Sequence, residues 1–132
     1  MAEQRKINPW TWQNQFGFSQ AIEVTGGTRT LYCAGQASVD GDGRPLHAGD
    51  MAKQIRQSLE NLSAVLGAAG FTLGDVVRLN YYTTDVDSFL AASETAMGIL
   101  VEARCQPSST LLGVASLAFP ELLVEIEAIA VK

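Results

Sequence analysis

One histidine and two cysteines are all that this chain of 132 residues offers to metal or thiol chemistry. His47 stands in the loop "DGDGRPLHAGD" with no second histidine to share a metal, and Cys33 and Cys105 lie far apart, without CxxC spacing or a neighbouring histidine pattern. The thiols are therefore expected to be buried or idle, and His47 to sit on a surface loop. The carboxylates lack the DxDxDG spacing of a calcium loop, so no metal site is assigned. Positive charge is scarce as well. Nine Lys and Arg against fourteen Asp and Glu give a net charge of -5, and no basic cluster supplies the footprint a phosphate backbone needs, so nucleic acid is not an expected partner. No apolar run approaches the roughly 20 residues of a membrane span, and the opening "MAEQRKINPW" has no apolar core like that of a signal peptide. These readings predict no membrane association and a cytoplasmic location. Repeats, low-complexity tracts and linkers are missing too.

What remains is an ordinary globular mixture, 47% hydrophobic and 17% charged, of a length that supports one core. Residues 1–132 are expected to form a single domain. "FSQAIEVTGGTRTLYCAGQASVD" reads as two strands joined by a hairpin at the paired glycines. After the "DGDG" loop the period becomes helical: Met51, Ile55, Leu59, Leu62 and Leu66 share one stripe, with Asp50 placed to cap it and Gly70 to end it. "DVVRLNYYTT" is a strand by its β-branched and aromatic content. Asp85 or Asp87 then caps a second helix whose stripe is Phe89, Ala92, Ala96, Met97 and Leu100. Pro107 and Pro120 bracket a further strand, "SSTLLGVASLAF", which leads into the last one.

That last strand, "LLVEIEAIAV", sets Leu122, Val124, Ile126, Ala128 and Ala130 on a wholly apolar face and mixes Glu125 and Glu127 with large aliphatics on the other. A solvated face would be polar to both ends, so the second face is expected to be covered. A covered carboxylate needs a partner, a donor or a wet cleft; the two glutamates either line a pocket or form a rim salt bridge to an arginine. The predicted order is β-β-α-β-α-β-β, an α+β domain with a mixed sheet and two helices on one face. The other face of such a sheet is left open, and in a small acidic domain self-association is the expected cover.

Several separated stretches resemble the RidA/YjgF family. "GFSQAIEV" is similar to its opening strand and "CAGQASVDGDGRP" to its second strand and loop. "QIRQSLENLSAVLGAAGFTLGDVVRLNYYTTDVDSF" is similar to its first helix, third strand and second helix start, and "VEIEAIAV" to its ending. The resemblance runs from about Gly17 to Lys132. It implies a chorismate-mutase-like fold, a homotrimer around a central barrel with a cleft between each pair of subunits, and hydrolysis of enamines or imines to 2-keto acids and ammonia without metal or cofactor. It makes Glu125 the water-positioning carboxylate and Gly35 the cleft glycine. It also exposes departures. Where deaminase members have an arginine that clamps the substrate carboxylate, this chain has Ser109 within "PSSTL", and Leu111 stands where the family cysteine would be. The cleft tyrosine is replaced by Phe18, and the cleft asparagine position falls at Ser93.

A serine has one neutral arm where arginine has a charged fork, so substrates bearing an α-carboxylate should bind poorly. Arg104 and Arg78 are candidates to substitute, although the offset of Arg104 across Pro107 directs it elsewhere. Two functional readings follow. The chain is an imine or enamine hydrolase with altered specificity, in which Glu125 holds water and Ser109 and Thr110 orient the substrate; or it is a trimer that holds a small metabolite in its clefts without turnover. An endoribonuclease role, described for some relatives, fits the acidity and the lone histidine least. Glu127 is expected to be structural, paired with Arg78 or with a base from a neighbouring subunit. Trp10 and Trp12 either flank a cleft or pack the N-terminal arm onto the subunit, and the second is the expected role.

Overall fold

A computed structural model describes residues 2–132. Among them the chain forms strands β1 (Glu3–Ile7), β2 (Ala21–Thr25) and β3 (Thr30–Ala37), helix α1 (Met51–Ala68), strand β4 (Val76–Thr83), helices α2 (Val86–Ala91) and α3 (Ser93–Glu102), and strands β5 (Ser108–Gly113) and β6 (Val124–Val131). Helix α1 begins and ends where the sequence places it. The Asp50 side chain accepts from the Lys53 amide at 3.0 Å, and the predicted stripe from Met51 to Leu66 is buried. At the far end Gly70, at φ +81°, turns the chain so that the Phe71 amide donates to Leu66 O and the Gly70 amide to Gly67 O, closing a Schellman motif.

The main sheet runs β3-β6-β4-β5, with β6 antiparallel to both neighbours and β4 parallel to β5 across the α2–α3 crossover. Helix α1 lies over β3 and β6 and against α2 and α3. Val124, Ile126, Ala128 and Ala130 are buried beneath the helices, and Glu125, Glu127, Ile129 and Val131 point to the outer face, the alternation expected of "VEIEAIAV".

Two local expectations are corrected. The "TGG" stretch does not join a hairpin: β2 pairs with β1, and β3 pairs with β6. Beyond the glycines the Thr28 and Arg29 amides both donate to Lys132 O, which draws the chain onto the end of β6 instead. The polar β1, "EQRKI", carries almost no apolar pattern, because it lies exposed along a two-stranded ladder. The second helix is two pieces. It breaks at Ala92, whose amide reaches back to Ser88 O and Phe89 O while the Ser93 hydroxyl donates to Leu90 O at 2.8 Å.

Gln54 ties α1 to the strands. Fully buried, it donates to His47 O at 3.1 Å and Glu121 O at 2.9 Å and accepts from the Leu123 amide at 2.8 Å. Gln54→Leu keeps the volume but leaves three backbone groups without these partners. It is expected to lower the unfolding free energy by about 3 kcal/mol, read from urea titration.

Candidate functional site

The two glutamates of β6 occupy one face but different environments. Glu127 Oε1 accepts from Asn80 Nδ2 at 3.0 Å and from the Tyr82 hydroxyl, both on β4. These two donors hold its pKa below the usual carboxylate value, and the Tyr82 phenol is correspondingly raised by the same bond. A depressed carboxylate stabilises the fold above its unfolded-state pKa and loses that contribution as pH falls through the lowered folded-state value, so the Glu127 side of the network weakens in acid, whereas the contribution of the raised Tyr82 phenol is lost as pH rises through its folded-state value. The expectation of an ion pair with Arg78 is not met within the subunit: Arg78 Nη2 donates to Thr110 Oγ1 on β5.

The Glu125 side chain has no hydrogen-bond partner among the described residues and lines a hollow of about 260 Å³ with Gly35, Tyr82, Val114, Ser116, Leu117 and Glu127. It lies over Gly35 so closely that a Cβ there would stand 2.7 Å from its Cδ and 2.9 Å from its Cγ. The glycine is therefore what allows the carboxylate its position. Gly35→Ala should push the Glu125 carboxylate aside at little cost in stability, because the atoms in the way belong to the far end of a flexible side chain, and at a large cost to any activity that depends on this carboxylate, as thermal melts and rate measurements on the same preparation would separate.

On the opposite face of the sheet, beside α2 and α3, lies a cavity of about 320 Å³. Tyr81 on β4 and Ser109 and Leu111 on β5 reach it from the sheet; Phe89, Leu90, Ser93 and Met97 reach it from the helices. Trp12, Phe16 and Phe18 close the remaining side. Their segment is held by the start of β5: Ser19 donates its amide to Pro107 O (2.9 Å) and its hydroxyl to Gln106 O (2.6 Å), and Gln106 Nε2 donates to Phe18 O (3.0 Å). Among the described residues no charged side chain lines the cavity. The Tyr81 phenol is raised well above its ordinary value, chiefly by burial, and so stays protonated.

The sequence candidates thus divide into two groups. Phe18, Ser93, Ser109 and Leu111 come together in the apolar cavity; Gly35 and Glu125 open onto the outer face; Thr110, next to Ser109 in sequence, points to the outer face with Arg78, as strand alternation requires. Neither arginine enters the cavity. Arg104, at φ +56°, lines a separate hollow with Lys6, Asn14 and Gln106. Of the two roles open to the tryptophans, Trp12 takes the cleft-flanking one, standing at the cavity wall with 53% of its surface exposed, while Trp10 is 61% exposed and does not line the cavity. Sequence reasoning missed Phe16, Tyr81 and Phe89 as cavity residues. A strand aromatic and a helix aromatic read as core, and both are indeed buried while also forming the cavity floor. Cys33 and Cys105 are free and buried, and His47 is an exposed loop residue.

Residues 13–132 match the family model described as Endoribonuclease L-PSP. The chain is 40% identical to YyfB, a protein of the conserved Rid family from Yersinia pestis, whose crystal structure superposes with a TM-score of 0.88 over 98% of each chain. It is 30% identical to TdcF from E. coli, solved with bound serine, with a TM-score of 0.71 over 87% of each chain. A 2-iminobutanoate/2-iminopropanoate deaminase of Salmonella typhimurium is 36% identical over 86 residues, 64% of this chain and 66% of that protein.

Proposed function

We propose, from the premise that this chain belongs to the Endoribonuclease L-PSP family, the group also called RidA/YjgF, that it hydrolyses imines or enamines whose reacting carbon bears no carboxylate. The observation that carries this reading is the uncharged cavity of about 320 Å³ around Ser109. The named deaminase relative acts on imino acids, and the TdcF structure holds serine, so carboxylate-bearing small molecules are ligands within the family. Here an α-carboxylate entering the cavity would find hydroxyls in place of a guanidinium, and would give up hydration without a charged partner in return.

Catalysis by this reading needs two subunits. Glu125 and the cavity open on opposite faces of one sheet, so no single copy brings them to one substrate. The outer face, with Tyr32 77% exposed and Ile129 and Val131 half-buried, is the surface on which other copies of the chain pack in our proposal. A homotrimer then lays the Glu125 of one copy against the cavity of the next. Glu125 orients water and accepts one of its protons as the oxygen adds to the C=N carbon, and returns that proton to the nitrogen to give the tetrahedral carbinolamine. The C–N bond then breaks as the carbinolamine hydroxyl loses its proton to the departing nitrogen, which releases ammonia and the carbonyl product and leaves Glu125 ionised as before. Ser109, whose hydroxyl has no partner among the described residues, serves as a neutral donor or acceptor for the substrate. An RNA substrate fits this site less well, given a net charge of -5 and a single exposed histidine. Metabolite binding without turnover is the second reading, favoured by the absence of a second titratable side chain in the cavity other than the protonated Tyr81.

The test generates imines with an amine oxidase and an amino-acid oxidase and traps them with semicarbazide. The expected outcome is faster hydrolysis of neutral imines than of imino acids of equal bulk, by about tenfold or more. Acceleration of imino acids alone would sink the altered specificity. No acceleration of any imine would leave the binding reading.

A further inference from the structure

We infer that the part of the ligand remote from the reacting carbon is a flat aromatic group, and that Trp12 is the residue that selects it. The inference rests on the proposed cleft for the position of the reacting carbon, but not on turnover.

Five of the residues around the cavity are aromatic: Trp12, Phe16, Phe18, Tyr81 and Phe89. They are arranged to accept another ring. The Trp12 indole stands edge-on to Phe18 at 5.8 Å and 76°, and to Phe16 at 6.3 Å and 72°, while Tyr81 and Phe89 tilt together at 5.2 Å. Rings so disposed offer faces and edges at the spacing in which aromatic pairs attract beyond the area they bury. Tyr81 and Phe89 are already buried in the core, but Trp12 and Phe16 keep about half of their surface exposed, 53% and 52%. A ligand seated here removes apolar area from water that folding has left there.

Size and polarity narrow the class. Small-molecule pockets begin at roughly 300 Å³, so a cavity of about 320 Å³ admits a single substituted ring and little more. The Ser93 hydroxyl is already donating to Leu90 O, which leaves the hydroxyls of Ser109 and Tyr81 without a hydrogen-bond partner among the described residues. Two neutral hydroxyls within an aromatic enclosure suit an aryl-alkyl carbonyl compound or its imine. They suit neither a sugar nor an anion.

Phenylacetone and phenylpyruvate differ chiefly in a methyl against a carboxylate, and acetone lacks the ring. None contains a C=N bond, so each reports binding alone when titrated calorimetrically into the wild-type protein. Phenylacetone is expected to bind about tenfold or more tighter than acetone and than phenylpyruvate. Trp12→Ala should abolish the preference for phenylacetone over acetone, with circular dichroism unchanged because the side chain is half exposed. Ser109→Arg should reverse the order of phenylacetone and phenylpyruvate. Equal binding of acetone and phenylacetone, no binding of phenylacetone at millimolar concentration, or a Trp12→Ala protein with the wild-type preference would each overturn the inference. Hydrolysis of small alkyl imines with no aryl preference would do so too, while leaving the hydrolase reading intact. Tight phenylacetone binding in a protein that hydrolyses no imine would support the inference and sink that reading.

Discussion

Replacing Glu125 with alanine is expected to lower kcat/KM for imine hydrolysis by about 10²–10⁴-fold, the range over which a positioned acid or base contributes, and to shift the melting temperature by only about 2 °C. The two halves of this expectation have one cause. The Glu125 side chain lies over Gly35 with no hydrogen-bond partner among the described residues, so its removal orphans no donor, and the fold does not depend on it. Glu127, one pair along the strand, should show the reverse pattern. It accepts from Asn80 and Tyr82, and alanine there strips both donors of their acceptor beside an Asn80 Oδ1 that is already buried and unpaired. Thermal melts and steady-state rates on the two variants distinguish a working carboxylate from a structural one. A Glu125→Ala protein that keeps its rate would end the catalytic assignment, and Glu125→Gln, which preserves the shape, checks that charge rather than packing is responsible.

The parts of the fold that declared themselves in sequence are those where local chemistry and tertiary packing agree. Asp50, the stripe from Met51 to Leu66 and Gly70 define α1 without reference to anything distant, and the structure uses each residue as its chemistry suggests. The alternation of "VEIEAIAV" likewise foretold which side chains of β6 face the helices. The failures have nonlocal causes. Paired glycines after β2 look like a hairpin, but whether two strands pair depends on what else is available, and the Lys132 carbonyl takes up the amides of Thr28 and Arg29. β1 is polar because both of its faces are exposed for most of its length, so no periodicity marks it.

The site was legible residue by residue but not as an arrangement. Ser109, Phe18, Ser93 and Leu111 were named from departures at known positions, and they do converge. That Thr110 turns away from Ser109 follows from strand alternation, whereas the enclosure of the cavity by Trp12 and Phe16 does not follow from any pattern. Their short helical turn is held in place by contacts of Ser19 and Gln106 with residues about 87 positions apart, the separation between that serine and Gln106 O. Only the folded chain shows that these aromatics, and not a cation, stand beside Ser109.

The separation of Glu125 from the cavity leads to the most demanding expectation: two inactive variants, mixed, should recover activity. Glu125→Ala removes the carboxylate from the outer face and leaves the cavity intact. Ser109→Trp fills the cavity with an indole and leaves Glu125 intact. Alone, each assembles sites that are all defective. If every site takes its cavity from one subunit and its carboxylate from the next, unfolding and refolding the two together at equal concentration makes mixed trimers at random. About one site in four then pairs an intact cavity with an intact carboxylate, and about a quarter of the wild-type rate should return. Mixing without refolding should give little, because subunits must exchange first. A site built within one subunit gives no recovery under any mixing protocol, since every chain then carries a defect in its own site. Sedimentation of the mixture supplies the mass of the assembly in the same experiment, and a monomer mass would remove the premise of shared sites altogether. The opposite facing of Glu125 and Ser109 on one sheet is what makes the outcome decisive: for two residues of one cleft wall the same mixture would stay inactive whatever the number of subunits.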